Sequence, residues 1–283
     1  MARNRERLGA SNVQAEPPAP TTNSNEGLMS FVVPTEFVEL PSGGRYYPQG
    51  HPLHNQETIE IKHMTAREED LLTSRALLKK GLALDRLLES VIIDKKIRAS
   101  DLLVGDRNAI LISTRISGYG PEYATKVTCP SCSTQQDYEF NLSNIDVYDG
   151  SGVDPNDVTD NGNGTFTTTL PKTKLEVTFR LLNGHDEKNF INQVENARKT
   201  KKEEKTITRQ LKSFIVSVNG DATQKSINYV AENLPSIDAR HLRRVQKLST
   251  PNVDLIRNFE CNSCDYEELL EVPLTADFFW PDR

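Results

Sequence analysis

Four cysteines, arranged as two widely separated pairs, are the residues of this sequence with the clearest chemistry. Cys129 and Cys132 lie in the string TCPSC, and Cys261 and Cys264 lie in ECNSC. A two-residue gap lets a tight turn direct both sulfur atoms of a pair toward one ion, and two such turns supply the tetrahedral four-thiolate site of structural zinc. The spacing therefore predicts one structural zinc ion per chain, bound by all four cysteines.

The surroundings of the two pairs match. Each pair follows an extended stretch, and apolar residues follow its first cysteine at equal distances. These apolar residues are Phe140 and Leu142 after the first pair, and Val272 and Leu274 after the second. Such a quasi-repeat is typical of the two knuckles of a zinc ribbon, each on its own hairpin. Because 128 residues separate Cys132 from Cys261, the ribbon is predicted to be split by an insertion, which the slow growth of loop-closure entropy with length permits.

Two other interpretations of the cysteines are a redox-active pair and a set of inert thiols. A redox Cys-x-x-Cys normally opens a helix, whose dipole lowers the thiol pKa, and neither pair here has that context. The histidines lie far from the pairs in sequence, so no open catalytic zinc position is indicated. They are His51, His54, His63, His185 and His241.

The remaining motifs do not define a reaction. The string DVTDNGNGTF (157–166) contains two aspartates but lacks the spacing of an EF-hand calcium loop, and its Asn-Gly pairs favour a hairpin turn. The glycine-containing strings lack the spacing of a phosphate-binding loop. We found neither a serine–histidine nor a paired-carboxylate constellation, so the sequence predicts a protein that is not an enzyme.

The sequence shows no export or membrane signal, so the cytoplasm is the expected location, and its charge bears on nucleic-acid binding. The formal net charge of −6 argues mildly against a protein that coats nucleic acid. One predicted helix carries a basic face, which would suit an acidic partner or nucleic acid, although a solvated helix surface is the simpler interpretation. That face consists of Arg240, Arg243, Arg244 and Lys247. We see neither an apolar run of the roughly 18 residues that cross a bilayer nor a secretory signal near the N-terminus.

The patterning predicts an α+β fold, with a helical layer, small antiparallel sheets and the split zinc-ribbon-like element of two Cys-x-x-Cys knuckles. Residues 1–28, rich in Pro, Asn, Ser and Thr, are predicted to be a disordered arm. Residues 29–63 form an extended, β-rich segment, and residues 64–120 form the helical layer. Residues 121–143 and 258–283 are the two ribbon-like halves, and residues 144–257 are an inserted hairpin plus helices.

Within the helical layer, Thr65 and Glu68 fit a capping box that begins a helix ending at Gly81. A second helix is predicted over 83–92 with Leu84 facing inward, and a third follows Gly105. The insertion is predicted to contain a hairpin over 165–182 and helices over 187–198, 206–218, 226–233 and 236–247. At the C-terminus, Phe278, Phe279 and Trp280 are predicted to dock on the core.

Several strings, taken in order, are similar to those of a known family. They are ELPSGGRYYPQGHPL, MTAREEDLLTS, LLVGDRNAILISTRISGYGPEY, CPSC, LPSIDARHLRRV and FECNSCDYEELLEVPLTADFFWP. Together they resemble the baseplate hub protein family of T-even-like contractile-tailed bacteriophages and their cyanophage relatives. The resemblance spans about Leu40 to Trp280, and the block from Leu102 to Tyr123 and the two cysteine pairs are its most specific parts.

The resemblance implies a structural or assembly component of the central baseplate hub, located in the virion tail and assembled in the host cytoplasm. The protein would connect the hub and spike to the tail tube or tape-measure protein. Its partners would be other baseplate, tail tube or tape-measure proteins. A symmetric oligomer within the baseplate is compatible with the resemblance. It implies zinc at Cys129, Cys132, Cys261 and Cys264 and no catalytic residues. Neither a membrane nor nucleic acid is expected as a partner. The competing hypotheses are a zinc-ribbon nucleic-acid-binding regulator and a thiol–disulfide enzyme.

Overall fold

The computed structural model describes residues 32–143, 145–199, 205–272 and 276–279. The chain divides into two units, Met1–Val33 and Pro34–Arg283, and the fold given below is that of the second unit. Helices and small antiparallel sheets together confirm the predicted α+β class. The predicted arm over 1–28, Leu274 and Trp280 lie outside the described residues.

Eight α-helices and one short 3-10 helix occur in the described part of the chain. In chain order they are α1 (Ala66–Thr73), α2 (Arg75–Lys79), α3 (Ala83–Val91), α4 (Val104–Tyr119), α5 (Gly184–Lys199), α6 (Thr206–Phe214), α7 (Gln224–Asn233), α8 (Ser236–Ser249) and the 3-10 helix η1 (Ala276–Phe279).

The strands pair in five small antiparallel sheets. They are β1 (Thr35–Glu39), β2 (Thr58–Lys62), β3 (Glu122–Thr128), β4 (Gln135–Asn141), β5 (Val147–Tyr148), β6 (Val158–Asp160), β7 (Thr165–Thr169), β8 (Glu176–Arg180), β9 (Ile215–Val218), β10 (Asn252–Val253), β11 (Ile256–Glu260) and β12 (Glu267–Glu271). Four sheets have two strands each, β1–β2, β3–β4, β11–β12 and β10–β5, and the fifth has the order β6-β7-β8-β9.

The helical layer follows the predicted pattern with two exceptions. The capping box is present, since Glu68 accepts hydrogen bonds from the backbone and the side chain of Thr65 at the start of α1. The first predicted helix is interrupted, because Ser74 adopts an extended conformation and separates α1 from α2. The prediction that Leu84 faces inward is wrong: its side chain is 40% exposed, whereas Leu87 and Leu88 on the same helix are fully buried.

The insertion contains more β-structure than predicted. The hairpin β7–β8 is confirmed, and β6 pairs with β7 across the Asn-Gly turn at 161–164. The predicted helix over 206–218 is wrong in its last part, because α6 ends at Phe214 and β9 pairs with β8. The β-branched residues of the string IVSV favour a strand, and pairing with a buried neighbouring strand outweighs the helical pattern before them.

Two clusters of buried side chains form the core. The first joins β1–β2, α3, α4 and the hairpins β3–β4 and β11–β12, and it includes Cys129 and Cys261. The second lies between the four-stranded sheet and helices α6, α7 and α8. Leu103 packs against both clusters. The cysteine-bearing hairpins are therefore anchored in one core, and most of the insertion is built around the other.

A buried arginine on α4 fixes the start of the first cysteine hairpin. Arg115 is fully buried, and its guanidinium donates to the carbonyl oxygens of Phe278 (2.8 Å), Gly120 (2.7 Å) and Glu122 (2.9 Å). These carbonyl groups meet the requirement that a buried polar group be hydrogen-bonded. The contacts connect α4 to the beginning of β3 and to η1, which places the C-terminal aromatic residues beside the first hairpin.

Candidate metal centre

The first cysteine pair lies in the tight turn between β3 and β4. The backbone N–H of Cys129 donates to the carbonyl oxygen of Thr134 (2.9 Å), and the N–H of Ser133 donates to the carbonyl oxygen of Cys129 (2.9 Å). Ser133 has a φ of 59°, in the left-handed region. This positive φ reverses the chain directly after Cys132, so both sulfur atoms project from the same side of the turn.

The second pair lies in an equivalent turn between β11 and β12. The N–H of Cys261 donates to the carbonyl oxygen of Tyr266 (2.9 Å), and the N–H of Asp265 donates to the carbonyl oxygen of Cys261 (3.1 Å). Asp265 has a φ of 52°. The N–H of Ser263 also points at the sulfur of Cys261 (3.4 Å). The two turns thus repeat the same hydrogen bonds and the same positive φ, as the matching sequence contexts predicted.

The structure brings all four cysteines together. The Sγ atoms of Cys129 and Cys264 are 3.8 Å apart, and those of Cys132 and Cys261 are 3.7 Å apart. All four Sγ atoms lie within 4.8 Å of one another. Each short contact joins one turn to the other, so the cluster is shared between the hairpins and does not belong to either one alone.

The donor set fits a metal ion of tetrahedral preference. A regular tetrahedron with zinc–sulfur bonds of about 2.3 Å has sulfur–sulfur edges of about 3.8 Å, which agrees with the two contacts between the turns. Four thiolates are one of the common ligand sets of structural Zn²⁺ sites, and four protein ligands leave no coordination position for substrate. Cys129, Cys132, Cys261 and Cys264 would together hold such an ion, and it would supply a cross-link rather than a reactive centre.

The electrostatics of the cluster also favour a cation. Cys129 and Cys261 are buried, whereas Cys132 and Cys264 are exposed. A side-chain hydrogen bond with Thr134 lowers the pKa of Cys132 to about 6, whereas desolvation raises the pKa of Cys264 to about 12. Repulsion between neighbouring thiolates keeps adjacent thiols from ionising together, and a bound divalent cation removes that penalty.

Comparison with protein-family models places this chain in a family. Residues 33–280 match the model described as T4 bacteriophage base plate protein. The chain belongs to that family. No curated protein matches it. No solved structure matches it either.

Membership gives this baseplate protein a structural context, the tail of a T4-like phage particle. The match covers most of the chain, including both cysteine pairs, α4 and the insertion. None of the helices formed by the described residues is long and apolar enough to span a lipid bilayer.

Side chains of β4 clamp the two hairpins of the baseplate protein beside the sulfur cluster. The side-chain amide of Gln136 donates to the carbonyl oxygen of Glu260 (2.9 Å) and accepts from the backbone N–H of Asn262 (2.9 Å). The hydroxyl of Tyr138 donates to the carbonyl oxygen of Asn258 (3.0 Å). Sequence reasoning missed both residues, because nothing local to β4 indicates partners more than a hundred positions away.

Aromatic side chains of both hairpins pack together around Tyr138. The ring of Tyr138 packs against Phe140 and Phe259, with centroids 4.9 and 5.2 Å apart. Phe140, Leu142 and Val272, the apolar residues predicted from the quasi-repeat, are all buried. Phe278 and Phe279 are buried as predicted, and Phe278 makes an edge-on contact with Tyr123 on β3. The sulfur atoms are therefore held by two hairpins that share an apolar base.

The cysteine pairs of the baseplate protein lie outside the helix-start context of redox enzymes. Each pair connects two strands of a hairpin, Cys129 following β3 and Cys261 following β11.

The buried carboxylates elsewhere are engaged in structural hydrogen bonds. Asp106 accepts from the backbone and hydroxyl of Ser42 and from the hydroxyl of Tyr47, and burial raises the pKa of this carboxyl. It fastens the turn after β1 to α4.

Proposed function

We propose that this baseplate protein is a non-enzymatic structural or assembly component of the central hub, with one structural zinc ion held by Cys129, Cys132, Cys261 and Cys264. The observation that carries the proposal is the convergence of four sulfur atoms from two turns that are 128 residues apart in the sequence. Family membership supports a location in the baseplate, and the sulfur cluster supports a metal ion that would stabilise the fold.

The physical benefit of the metal is a cross-link in a reducing compartment. A protein assembled in the host cytoplasm does not retain disulfides, whereas a thiolate-bound metal forms there and couples its binding free energy to folding. Closing a loop as long as the one between Cys132 and Cys261 restricts the unfolded chain more than closing a short one. The ion would therefore stabilise the pairing of the two hairpins without any chemistry of its own.

Zinc and iron both accept four thiolates in a tetrahedron. We propose zinc, because two knuckles with two-residue gaps and a closed ligand set are the usual form of structural zinc sites. Elemental analysis of the purified protein distinguishes the two, and an iron-loaded protein would in addition absorb visible light.

In the hub, the proposed role is to connect the hub and spike to the tail tube or the tape-measure protein. Its partners would then be other baseplate, tail tube or tape-measure proteins, arranged with the symmetry of the tail. The family match, which spans nearly the whole described chain, supports a place in the baseplate; the connecting role and these partners are the part that we propose.

The experiment combines metal analysis with a census of phage particles. We expect about one zinc per chain to survive dialysis, and we expect deletion of the coding sequence to yield tails that lack complete baseplates. Mass spectrometry of purified particles and of tail intermediates then separates a permanent component from an assembly factor. Normal infectivity after deletion, with the chain absent from both particles and intermediates, would contradict the proposed role.

The regulator hypothesis is supported by the four-cysteine site together with the basic face of α8. Arg240, Arg244 and Lys247 are exposed on that helix. Two features argue against this hypothesis. The net charge is −6, and no aromatic residues are interleaved with the basic residues of α8. Stacking of bases on aromatic side chains is common in single-strand binding.

A further inference from the structure

The basic face of α8 borders a cleft. The cleft has a volume of about 560 Å³ and lies between α8 on one wall and residues 252–256 on the other. Arg243 and Lys247 contribute positive charge, and Ile256, which is 45% exposed, contributes apolar surface. Asp254 also lines the cleft, but its carboxylate accepts the backbone N–H of Ile256. The walls thus combine two cations, one carboxylate that accepts a backbone N–H, and exposed apolar surface.

These cations form no ion pair within the described part of the chain. Arg243 donates its Nε–H to the carbonyl oxygen of Ala239 (3.3 Å), one turn earlier on the same helix. No carboxylate of the described residues forms an ion pair with Arg240, Arg243, Arg244 or Lys247. A cleft of this kind would accept a surface that offers carboxylates around an apolar side chain.

The chain itself presents such a surface beside the cleft. Along β11 and β12, Phe259 and Leu270 pack into the core, so the alternate residues face outward. The outward residues include Glu260 opposite Glu267, and Asn258 opposite Leu269, which is 62% exposed. Two carboxylates therefore stand next to an exposed leucine on one face of the hairpin.

The basic cleft and the acidic hairpin face adjoin. Ile256 lines the cleft and is also the first residue of β11, two positions before Asn258. Two residues of a strand span about 7 Å. A two-fold axis near this point would place the hairpin face of each copy against the cleft of the other, so both contacts form together and the assembly closes as a dimer.

We propose that this chain self-associates as a two-fold dimer in which the acidic outer face of β11–β12 docks into the basic cleft beside α8. Edge-to-edge pairing of two β12 strands is the alternative arrangement for the same hairpin. It would bring Glu267 and Glu268 of both copies together, and like charges across a strand pair are destabilising. The dimer uses the outer face of the hairpin whose turn carries Cys261 and Cys264, but it concerns self-association and so goes beyond the baseplate role and the metal proposed above.

A charge-swap experiment tests the dimer. One variant carries Arg243→Glu and Lys247→Glu, and a second carries Glu260→Lys and Glu267→Lys. In a dimer of either variant alone, charges of the same sign would face each other at both contacts. We therefore expect each variant to be monomeric under conditions in which the wild type is dimeric. Mixed together, the two variants restore opposite charges at both contacts and should form a one-to-one dimer. Analytical ultracentrifugation at about 0.05 M and about 0.5 M salt should show weakening of the wild-type dimer by roughly tenfold or more.

The matched control carries Lys96→Glu and Lys225→Glu, an equal change of charge at exposed positions outside both surfaces. It should remain dimeric. Circular dichroism and metal content of every variant identify misfolding or loss of the ion separately from loss of the dimer. A wild type that stays monomeric at high concentration, or two variants that fail to associate when mixed, would overturn the proposal. Salt-sensitive binding of duplex DNA by a monomeric wild type, lost on reversing Arg243 and Lys247, would overturn it in favour of nucleic acid.

Discussion

At the residue scale, the four cysteines differ in exposure but share one cluster. Cys261 is buried in the core and Cys132 is exposed. If packing alone mattered, serine at position 261 would lower the stability of the fold, and serine at position 132 would have almost no effect. Under the proposed zinc site, sharing one ion would remove this difference, because either substitution would remove one of the same four ligands. We therefore expect Cys132→Ser and Cys261→Ser each to lose the metal and to lower the melting temperature by about 10 °C. Elemental analysis and calorimetry provide the measurement.

Ser131→Ala is the matched control, since Ser131 is exposed in the same turn and contributes no sulfur. It should retain the metal and the melting temperature of the wild type. A result in which the Cys261 variant is destabilised while the Cys132 variant keeps its metal would show that the two turns do not share an ion.

The clustering of the four cysteines could be predicted from the sequence because a Cys-x-x-Cys turn is a local structure. Its geometry is encoded within about six residues, and the second turn repeats it. Gln136 and Tyr138 could not be predicted, because their partners Glu260 and Asn258 are adjacent only after the two hairpins have met. Local spacing reveals ligands, whereas the contacts that hold ligands in place depend on the tertiary fold.

At the element scale, the start of α1 depends on a buried carboxylate. Glu68 is fully buried and accepts hydrogen bonds from Lys62, Ser90 and Thr65. Burial alone would raise the pKa of Glu68, but the hydrogen bonds from Lys62, Ser90 and Thr65 outweigh it and lower that pKa to about 2. A lowered pKa means that the folded state favours the ionised form, so the stabilisation is present at neutral pH and is lost as the pH falls from about 4.5 toward about 2.

Glu68→Gln should therefore lower the free energy of unfolding at pH 7 by about 2 kcal/mol. It should also flatten the loss of stability between about pH 4.5 and about pH 2. Urea unfolding at a series of pH values provides the measurement. Asp70→Asn, an exposed change on the same helix, is the control and should follow the wild type. Equal pH profiles for Glu68→Gln and the wild type would rule out this role for the carboxylate.

The elements themselves were predicted best where a local signal was strong. The capping box, the Asn-Gly turn and the β7–β8 hairpin are examples. The errors arose where neighbours decide the outcome. The strand β9 exists because β8 offers an edge, and Leu84 is exposed because α3 buries Leu87, Leu88 and Val91 instead. Neither the edge nor the choice of buried face is visible in a window of a few residues.

At the scale of the whole molecule, the sulfur cluster belongs to only one of the two cores. The hairpins that carry the cysteines pack on the first cluster of buried side chains. The four-stranded sheet and helices α6 to α8 are built around the second. The chain thus leaves the sulfur cluster after β4, builds a separately cored insertion and returns to the cluster at β11. A metal ion at this crossing would hold together the two ends of the insertion.

Removal of the metal should for this reason affect the two cores unequally. After treatment with a strong chelator under reducing conditions, we expect hydrogen exchange to increase in β3–β4 and β11–β12 by roughly tenfold or more. The sheet β6–β9 should keep its protection, because Val177, Phe179 and Phe214 remain buried in a core without cysteines. Restoring zinc should restore the protection of the hairpins. If exchange instead rises equally in both regions, the ion stabilises the chain as a single cooperative unit, and the division into two cores has no thermodynamic meaning.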